Sequence, residues 1–278
     1  MATPIVLEVH GLSAPPRVRS EVSFTLRAGE RLCIYGRNGA GKTALLRALL
    51  GLHPHRGQVV WQTSHSSTGY AAQRPRLLPR ASVLQQLLWC AQLQGVFLSP
   101  HGSRVYELLE LFGLSARRQQ KVGRLSPGEQ VKLELCCAVA VAARLLVVDG
   151  LLEMLDERTR ERFWEEVDAR CARRELALLY ATVSAREAEL ADRVLLLHEG
   201  RLVALDTPER LRRCVELEVL SLRSAHVAPP LQPVRVFRPA EREDAAKQGE
   251  LLSEEILLQR APTMEEVLQA LLQRGHDG

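Results

Sequence analysis

Gly36-Arg37-Asn38-Gly39-Ala40-Gly41-Lys42-Thr43 fits the spacing GxxxxGK[ST] at every fixed position. The physics of phosphate binding needs these residue types in this order. Glycines let backbone N–H groups turn inward around an anion, and a helix that starts at the loop aims its positive end at the same point. An apolar run, Arg31 to Tyr35, precedes the loop as a buried strand. Thr43 to Leu50, closed by Gly51, follows it as a helix. All eight loop residues are therefore expected to contact a nucleotide. Lys42 would reach the β- and γ-phosphates, and Thr43 would hold Mg²⁺.

Outward from the loop, strands alternate with helices. Ile5 to Val9, Val22 to Leu26, Val59 to Trp61 and Gly69 to Ala72 read as strands. So do Leu145 to Val148, Leu176 to Thr182 and the hairpin Val194 to His198 with Arg201 to Ala204 around Glu199-Gly200. From about Ala81 to Gln120 the pattern is helical, with Leu84, Leu87, Leu88 and Ala91 at helix spacing, and Glu129 to Ala143 forms another helix. The expectation is an α/β fold built on a phosphate-loop NTPase core. It has a mostly parallel sheet, antiparallel N-terminal strands and a helical subdomain inserted at about residues 78–135. Character changes after residue 213. The tail, 214–278, carries Pro229-Pro230, Pro233 and Pro239, a charged loop from Glu241 to Glu250, and an amphipathic helix from Met264 to Gln273. It reads as a small accessory domain, and 1–213 as the nucleotide-binding domain.

Leu125-Ser126-Pro127-Gly128-Glu129-Gln130 resembles the LSGGQ signature of the ABC ATPases, departing from it at Pro127 and Glu129. Asp149, which ends Leu145-Leu146-Val147-Val148, lies 23 residues after Ser126, at the family's usual distance for its hhhhD segment, and Leu155-Asp156 resembles the D-loop. Gly69-Tyr70-Ala71-Ala72-Gln73 resembles the Q-loop. Ala191-Asp192-Arg193-Val194, Glu199-Gly200-Arg201 and Asp206-Thr207-Pro208-Glu209 resemble the ending of the same domain. The likeness runs from about residue 5 to 213. It implies ATP and Mg²⁺ as ligands, with Thr43, Gln73 and Asp149 at the metal and Gln73 also at the attacking water. In that family two cassettes pair head to tail, and the signature of one caps the nucleotide of the other. Ser126 and Gly128 are thus implied contacts to a partner's ATP.

Three positions break the family pattern. A Glu that polarises the attacking water follows the hhhhD Asp, and here Gly150 stands there. Taking Asp156-Glu157 as the Asp-Glu pair instead would move the Asp to 30 residues after Ser126. Glu153 is a possible substitute base, displaced by three residues. The family's His in a Thr-His dipeptide, which contacts the γ-phosphate, is replaced by Val183, and no His occurs between His101 and His198. Near the N-terminus, where an aromatic often stacks on adenine, the chain reads Leu12-Ser13-Ala14-Pro15-Pro16, so Pro15 or Leu12 would pack on the base and selection of ATP over GTP should be poor. Binding groups survive and hydrolytic groups do not. The resemblance therefore implies an ATP-binding subunit with an impaired site, beside a membrane permease and a second, complete ATP-binding subunit.

Ala261-Pro262-Thr263-Met264-Glu265-Glu266-Val267-Leu268 resembles the ending of bacterial subunits that drive small six-helix export permeases, which favours an exporter over importer and lipid-handling systems. The rival class is an ATP-gated scaffold that homodimerises without a pump stroke. Composition bounds the rest. The net charge is +4, carried almost wholly by Arg, and no dense basic stripe points to nucleic acid. The six cysteines form no CxxC pair and read as buried thiols. The start shows no signal-peptide pattern, and the longest apolar stretch, Leu135 to Ala143, falls far short of the roughly 20 residues a bilayer requires. The expected location is the cytoplasmic face of the plasma membrane, held by a partner.

Overall fold

Strand β3 (Arg31–Tyr35) runs into the glycine-rich loop, and helix α1 (Lys42–Leu49) leaves it. The computed structural model describes residues 3–62, 68–214, 218–223, 236–237, 256–260 and 262–274. It comprises two compact units, 1–204 and 205–278.

A central sheet in the first unit contains β3 together with β5 (Thr68–Ala71), β6 (Leu145–Asp149), β7 (Ala177–Thr182), β8 (Arg193–His198) and β9 (Arg201–Asp206). Its order is β5-β6-β7-β3-β8-β9. The pairs β5/β6, β6/β7, β7/β3 and β3/β8 are all parallel. Every residue of β6 and β7 is buried, as expected for strands covered on both faces. In such a sheet the C-terminal ends of neighbouring strands face one edge, so Gly36, Gln73, Asp149 and Thr182 follow or end strands that point the same way. The turn between β8 and β9 is Glu199-Gly200, both at positive φ, the backbone a two-residue hairpin needs.

The antiparallel sheet has the order β2-β1-β4, with β1 Ile5–Ala14, β2 Val18–Arg27 and β4 Arg56–Trp61. Both β1 and β2 outrun the strands expected from sequence. The alternation of β1 breaks at Gly11, yet the strand continues through an irregular register between Val9 and Leu12, with Gly11 at φ 59°. The continuous helical stretch expected near 81–120 is divided in two, α2 (Val83–Leu93) and α3 (Ser103–Leu111). Gly95, at φ 75°, follows the end of α2, and the chain is not helical again before Ser103. Helix α4 (Pro127–Val141) starts two residues earlier than expected, because Ser126 caps it and Glu129 returns the bond. Helix α5 (Glu157–Ala172) and the short α6 (Ala185–Ala188) flank β7 in sequence.

The second unit contains α7 (Pro208–Cys214), an antiparallel sheet of β10 (Glu218–Arg223), β11 (Val236–Phe237) and β12 (Ile256–Arg260) in the order β11-β10-β12, and α8 (Met264–Arg274). Helix α8 buries Met264, Val267 and Leu268, the i, i+3, i+4 face of the amphipathic pattern. The charged segment Glu241 to Glu250 lies outside the described residues.

Helix α4 packs on β5 so closely that a Cβ on Gly69 would lie 2.0 Å from Ala138 O and 2.9 Å from Ala142 Cβ. Backbone cannot yield as a flexible side chain can. Gly69→Ala is expected to destabilise the first unit by about 1–3 kcal/mol, read as a fall in the urea midpoint. An unchanged midpoint would show that α4 and β5 separate freely.

Candidate functional site

The loop after β3 works because its glycines take shapes closed to other residues. Gly39 lies at φ 83° and Gly41 at φ 103°. A Cβ on Gly41 would also sit 2.7 Å from Arg17 O, and one on Gly36 only 2.1 Å from Leu197 O. Lys42 folds back over the loop, donating to Gly36 O at 2.6 Å and Arg37 O at 3.1 Å. Burial pushes its pKa down, against the attraction of Glu153 and then Asp149.

One cleft at the strand ends is lined by Asn38, Gly39, Ala40, Gly41, Lys42 and Thr43, and by Gln73, Asp149, Gly150 and Val183. Gly36 and Arg37 form the back of the loop, through the carbonyls that receive Lys42. Asp149, 1% exposed, accepts the Thr43 hydroxyl on Oδ1 at 2.8 Å, while its Oδ2 is buried without a hydrogen-bond partner. Burial raises the Asp149 pKa, opposed by Thr43, by the charges of Arg47 and Lys42, and by the Tyr70 hydroxyl. The Asp149 carboxylate and the Thr43 hydroxyl share the cleft with Gln73, and their oxygens are of the kind a hard divalent cation takes. Among the described residues no cluster of three His, Cys, Asp or Glu is placed to hold a metal by itself.

Gly150 has φ 64°, and a Cβ there would lie 3.8 Å from Gln73 Nε2, so the position faces Gln73 but presents no group to it. Val183 offers only its backbone N–H, which donates to Glu153 Oε1 at 2.7 Å. Glu153, on the 3₁₀ turn Leu152–Met154, is itself in the cleft.

Ser126 and Gly128 do not line this cleft. They stand at the start of α4, where Ser126 Oγ accepts the Glu129 N–H at 3.2 Å and Ser126 N–H donates to Glu129 Oε2 at 2.8 Å. Arg117 holds the other oxygen of Glu129 at 3.0 Å, and the Glu129 pKa is lowered chiefly by the Ser126 backbone bond. Space around Gly128 is open. Asp156 caps α5, and its bond to Lys132 holds its pKa down to about 2. From the middle of α4, Glu134 accepts the Ala72 N–H at 3.2 Å, one residue before Gln73.

Leu12 is 0% exposed inside β1, so it cannot pack on a base as the sequence alone allowed, and Pro15 is not among the lining residues. Arg17 from the following turn lines the cleft instead, with Arg47 and His53. Arg47 had a signal in the sequence, since it falls one helical turn after Thr43. Arg17 and His53 had none.

Residues 20–152 match the family described as ABC transporter. A Fe(3+) ions import ATP-binding protein of Streptomyces coelicolor is 32% identical over 201 residues, covering 69% of this chain and 58% of that protein. The Nod factor export ATP-binding protein I of Burkholderia lata is 32% identical over 200 residues, covering 68% and 66%. The energy-coupling factor transporter ATP-binding protein EcfA1 of Streptococcus pyogenes is 29% identical, covering 68% and 72%. The chain thus spans a little over half the length of the iron-import relative. A solved ATP-binding subunit of an ABC transporter superposes with a TM-score of 0.70 at 25% identity, covering 75% of this chain and 92% of that one. A dimeric ATP-binding cassette bound to ADP and phosphate shares the fold, with a TM-score of 0.62 at 17% identity.

The buried carboxylate gives a test independent of nucleotide. A carboxyl whose folded-state pKa is raised by burial opposes folding once ionised. Asp149→Asn is therefore expected to raise the urea midpoint of the ligand-free protein by the equivalent of about 1 kcal/mol at pH 7. The gain should vanish at acidic pH, where Asp149 is itself neutral. Mg²⁺ should stabilise the wild type and not the variant. A variant less stable at pH 7 would contradict the electrostatic account.

Proposed function

The chain belongs to the ABC transporter family of ATP-binding subunits, and on that premise we propose that it binds Mg-ATP in the cleft beside Lys42 and hydrolyses it poorly. One observation carries this reading: a complete phosphate-binding loop and a buried Asp149 share a cleft with Gly150 and Val183, neither of which brings a functional side chain. In the proposal, loop N–H groups from Asn38 to Thr43 and the Lys42 ammonium bind the phosphates, which releases Lys42 from the carbonyls of Gly36 and Arg37. Thr43, Asp149 and Gln73 would hold Mg²⁺, which supplies charge neutralisation when bound. Gln73 would also orient water. Loss of a general base costs about 10²–10⁴-fold in rate.

Ser126 and Gly128 would act on a different nucleotide. They lie outside the cleft at an exposed helix start, the place from which a head-to-tail partner's ATP would be capped. An impaired site beside an intact cap suits pairing with a different, complete subunit that hydrolyses ATP. The membrane permease would bring the pair to the cytoplasmic face. No helix among the described residues is long and apolar enough to cross a membrane. Export is the preferred direction, supported by the Pro262-to-Leu268 ending and by a relative named for export; relatives named for import leave that preference to experiment.

The purified protein should bind Mg-ATP in calorimetry, and Lys42→Ala should abolish most of that binding. Alone it should turn over ATP at least about 100-fold more slowly than a complete subunit. In the copurified complex, Ser126→Arg should stop turnover and Lys42→Ala should reduce it less. Brisk hydrolysis by the lone protein, or the reverse ordering of the two variants, would refute the asymmetric assignment.

A further inference from the structure

Helix α2 carries Gln86 and Cys90 at i, i+4 spacing, so the two side chains are neighbours on one face. Gln86 is buried, and its amide has a fixed orientation. Its Oε1 accepts the Leu78 N–H at 2.8 Å, and its Nε2 donates to Cys90 Sγ at 3.1 Å. From α4, the Cys137 thiol is hydrogen-bonded to the same sulfur. Two cysteines distant in sequence thus meet through helix packing, where no CxxC spacing announces them.

The Cys90 sulfur receives two donors, an arrangement that favours thiolate over thiol. The Cys137 bond, with that from Gln86, holds the Cys90 pKa down to about 7, against burial and the charge of Glu134 on α4. At Cys137 the same bond, and then burial, push the thiol well up, so it remains the proton donor of the pair. Burial also pushes up its neighbour Cys136, against the charge of Arg104 on α3. Cys33, Cys136, Cys137 and Cys171 are buried, and Cys90 is only partly so. The more accessible thiol is therefore the one whose sulfur is stabilised as an anion, and a second thiol already points at it. Neither Cys90 nor Cys137 lines the nucleotide cleft.

We propose that Cys90 and Cys137 form an oxidisable thiol pair, in which Cys90 reacts with a hydroperoxide and Cys137 then closes a disulfide between α2 and α4. The Cys90 thiolate attacks a peroxide oxygen and the O–O bond breaks. The leaving oxide takes a solvent proton, and Cys90 becomes a sulfenic acid. The Cys137 sulfur then attacks the Cys90 sulfur, the S–O bond breaks, and the Cys137 proton leaves with the hydroxide as water. Two thiols are oxidised to one disulfide, and one peroxide is reduced. The new bond would tether α2 to the helix that carries Ser126 at its start.

Peptide mapping of the full chain tests this. The reduced protein, freed of reductant, is treated with a small excess of hydrogen peroxide, alkylated and digested with trypsin. Peptides 81–104 and 133–144 should be joined through Cys90 and Cys137, with loss of two hydrogens, and dithiothreitol should separate them. Cys90→Ser should leave Cys137 reduced at the same dose. Cys137→Ala should leave Cys90 as a sulfenic acid that dimedone labels; if that variant does not fold, the wild-type map decides. Alkylation of Cys90 in the reduced protein should rise with pH through a midpoint near 7, below the value of about 8.5 for a free cysteine. A cross-link through Cys136, a disulfide joining two copies through Cys90, or a Cys90 that stays reduced or stops at an oxyacid in the wild type overturns the proposal. A midpoint at or above that of free cysteine overturns the assignment of Cys90 as the residue that reacts first.

Discussion

The bond from Thr43 Oγ1 to Asp149 Oδ1, 2.8 Å long, joins the first turn of α1 to the last residue of β6. Two strands of the sheet, β7 and β3, separate β6 from the loop in hydrogen-bonding order or carry it, so the bond spans the place where the sheet's strand ends converge. It fixes the distance between the glycine loop and the buried carboxylate. It also leaves Asp149 Oδ2 buried on the side away from Thr43, with the Tyr70 hydroxyl acting on the same carboxylate. Desolvation of that oxygen opposes the compact ligand-free state, and a bound cation would relieve it. Stability held back at one atom is thus converted into affinity for whatever completes the site.

Much of this was legible in the residues. Loop spacing, the apolar runs of β3, β6 and β7 and the distance from Ser126 to Asp149 are properties of the chain's order, and a parallel sheet turns that order directly into a shared edge. What escaped reading depended on contacts distant in sequence. β1 passes through Gly11 because β2 and β4 hold both its sides, a support that no local alternation records. Leu12 looked available for a nucleotide base and is instead core. Arg17 and His53 reach the cleft from turns with no periodic signature. The start of α4 was readable in principle, because Ser126 and Glu129 have capping-box spacing, but the same four residues were read for what they might touch rather than for what they hold.

Helix α4 connects two places that a nucleotide pair would use. Its first turn is shaped by Ser126, Glu129 and Arg117, and its side chain Glu134 steadies the backbone just before Gln73. The helix is well buried along Val131, Leu133, Leu135 and Cys136, and packs on β5 through Gly69 without a gap. A shift at the first turn of α4 therefore moves a packed helix that carries Glu134, rather than a loop.

Gly150 carries a consequence for how such a chain can change over generations. Its φ of 64° suits glycine and strains a side chain with a Cβ. A single replacement by glutamate would return a carboxylate to the place facing Gln73, but in a backbone shape that disfavours it by about 1 kcal/mol or more. Meanwhile Glu153 already holds the Val183 N–H and would crowd the newcomer with like charge. A carboxylate at this position would therefore carry a backbone cost as well as the charge of Glu153 in the same cleft. The turn at residue 150 thus selects against side chains through its backbone, whatever chemistry a side chain there would bring.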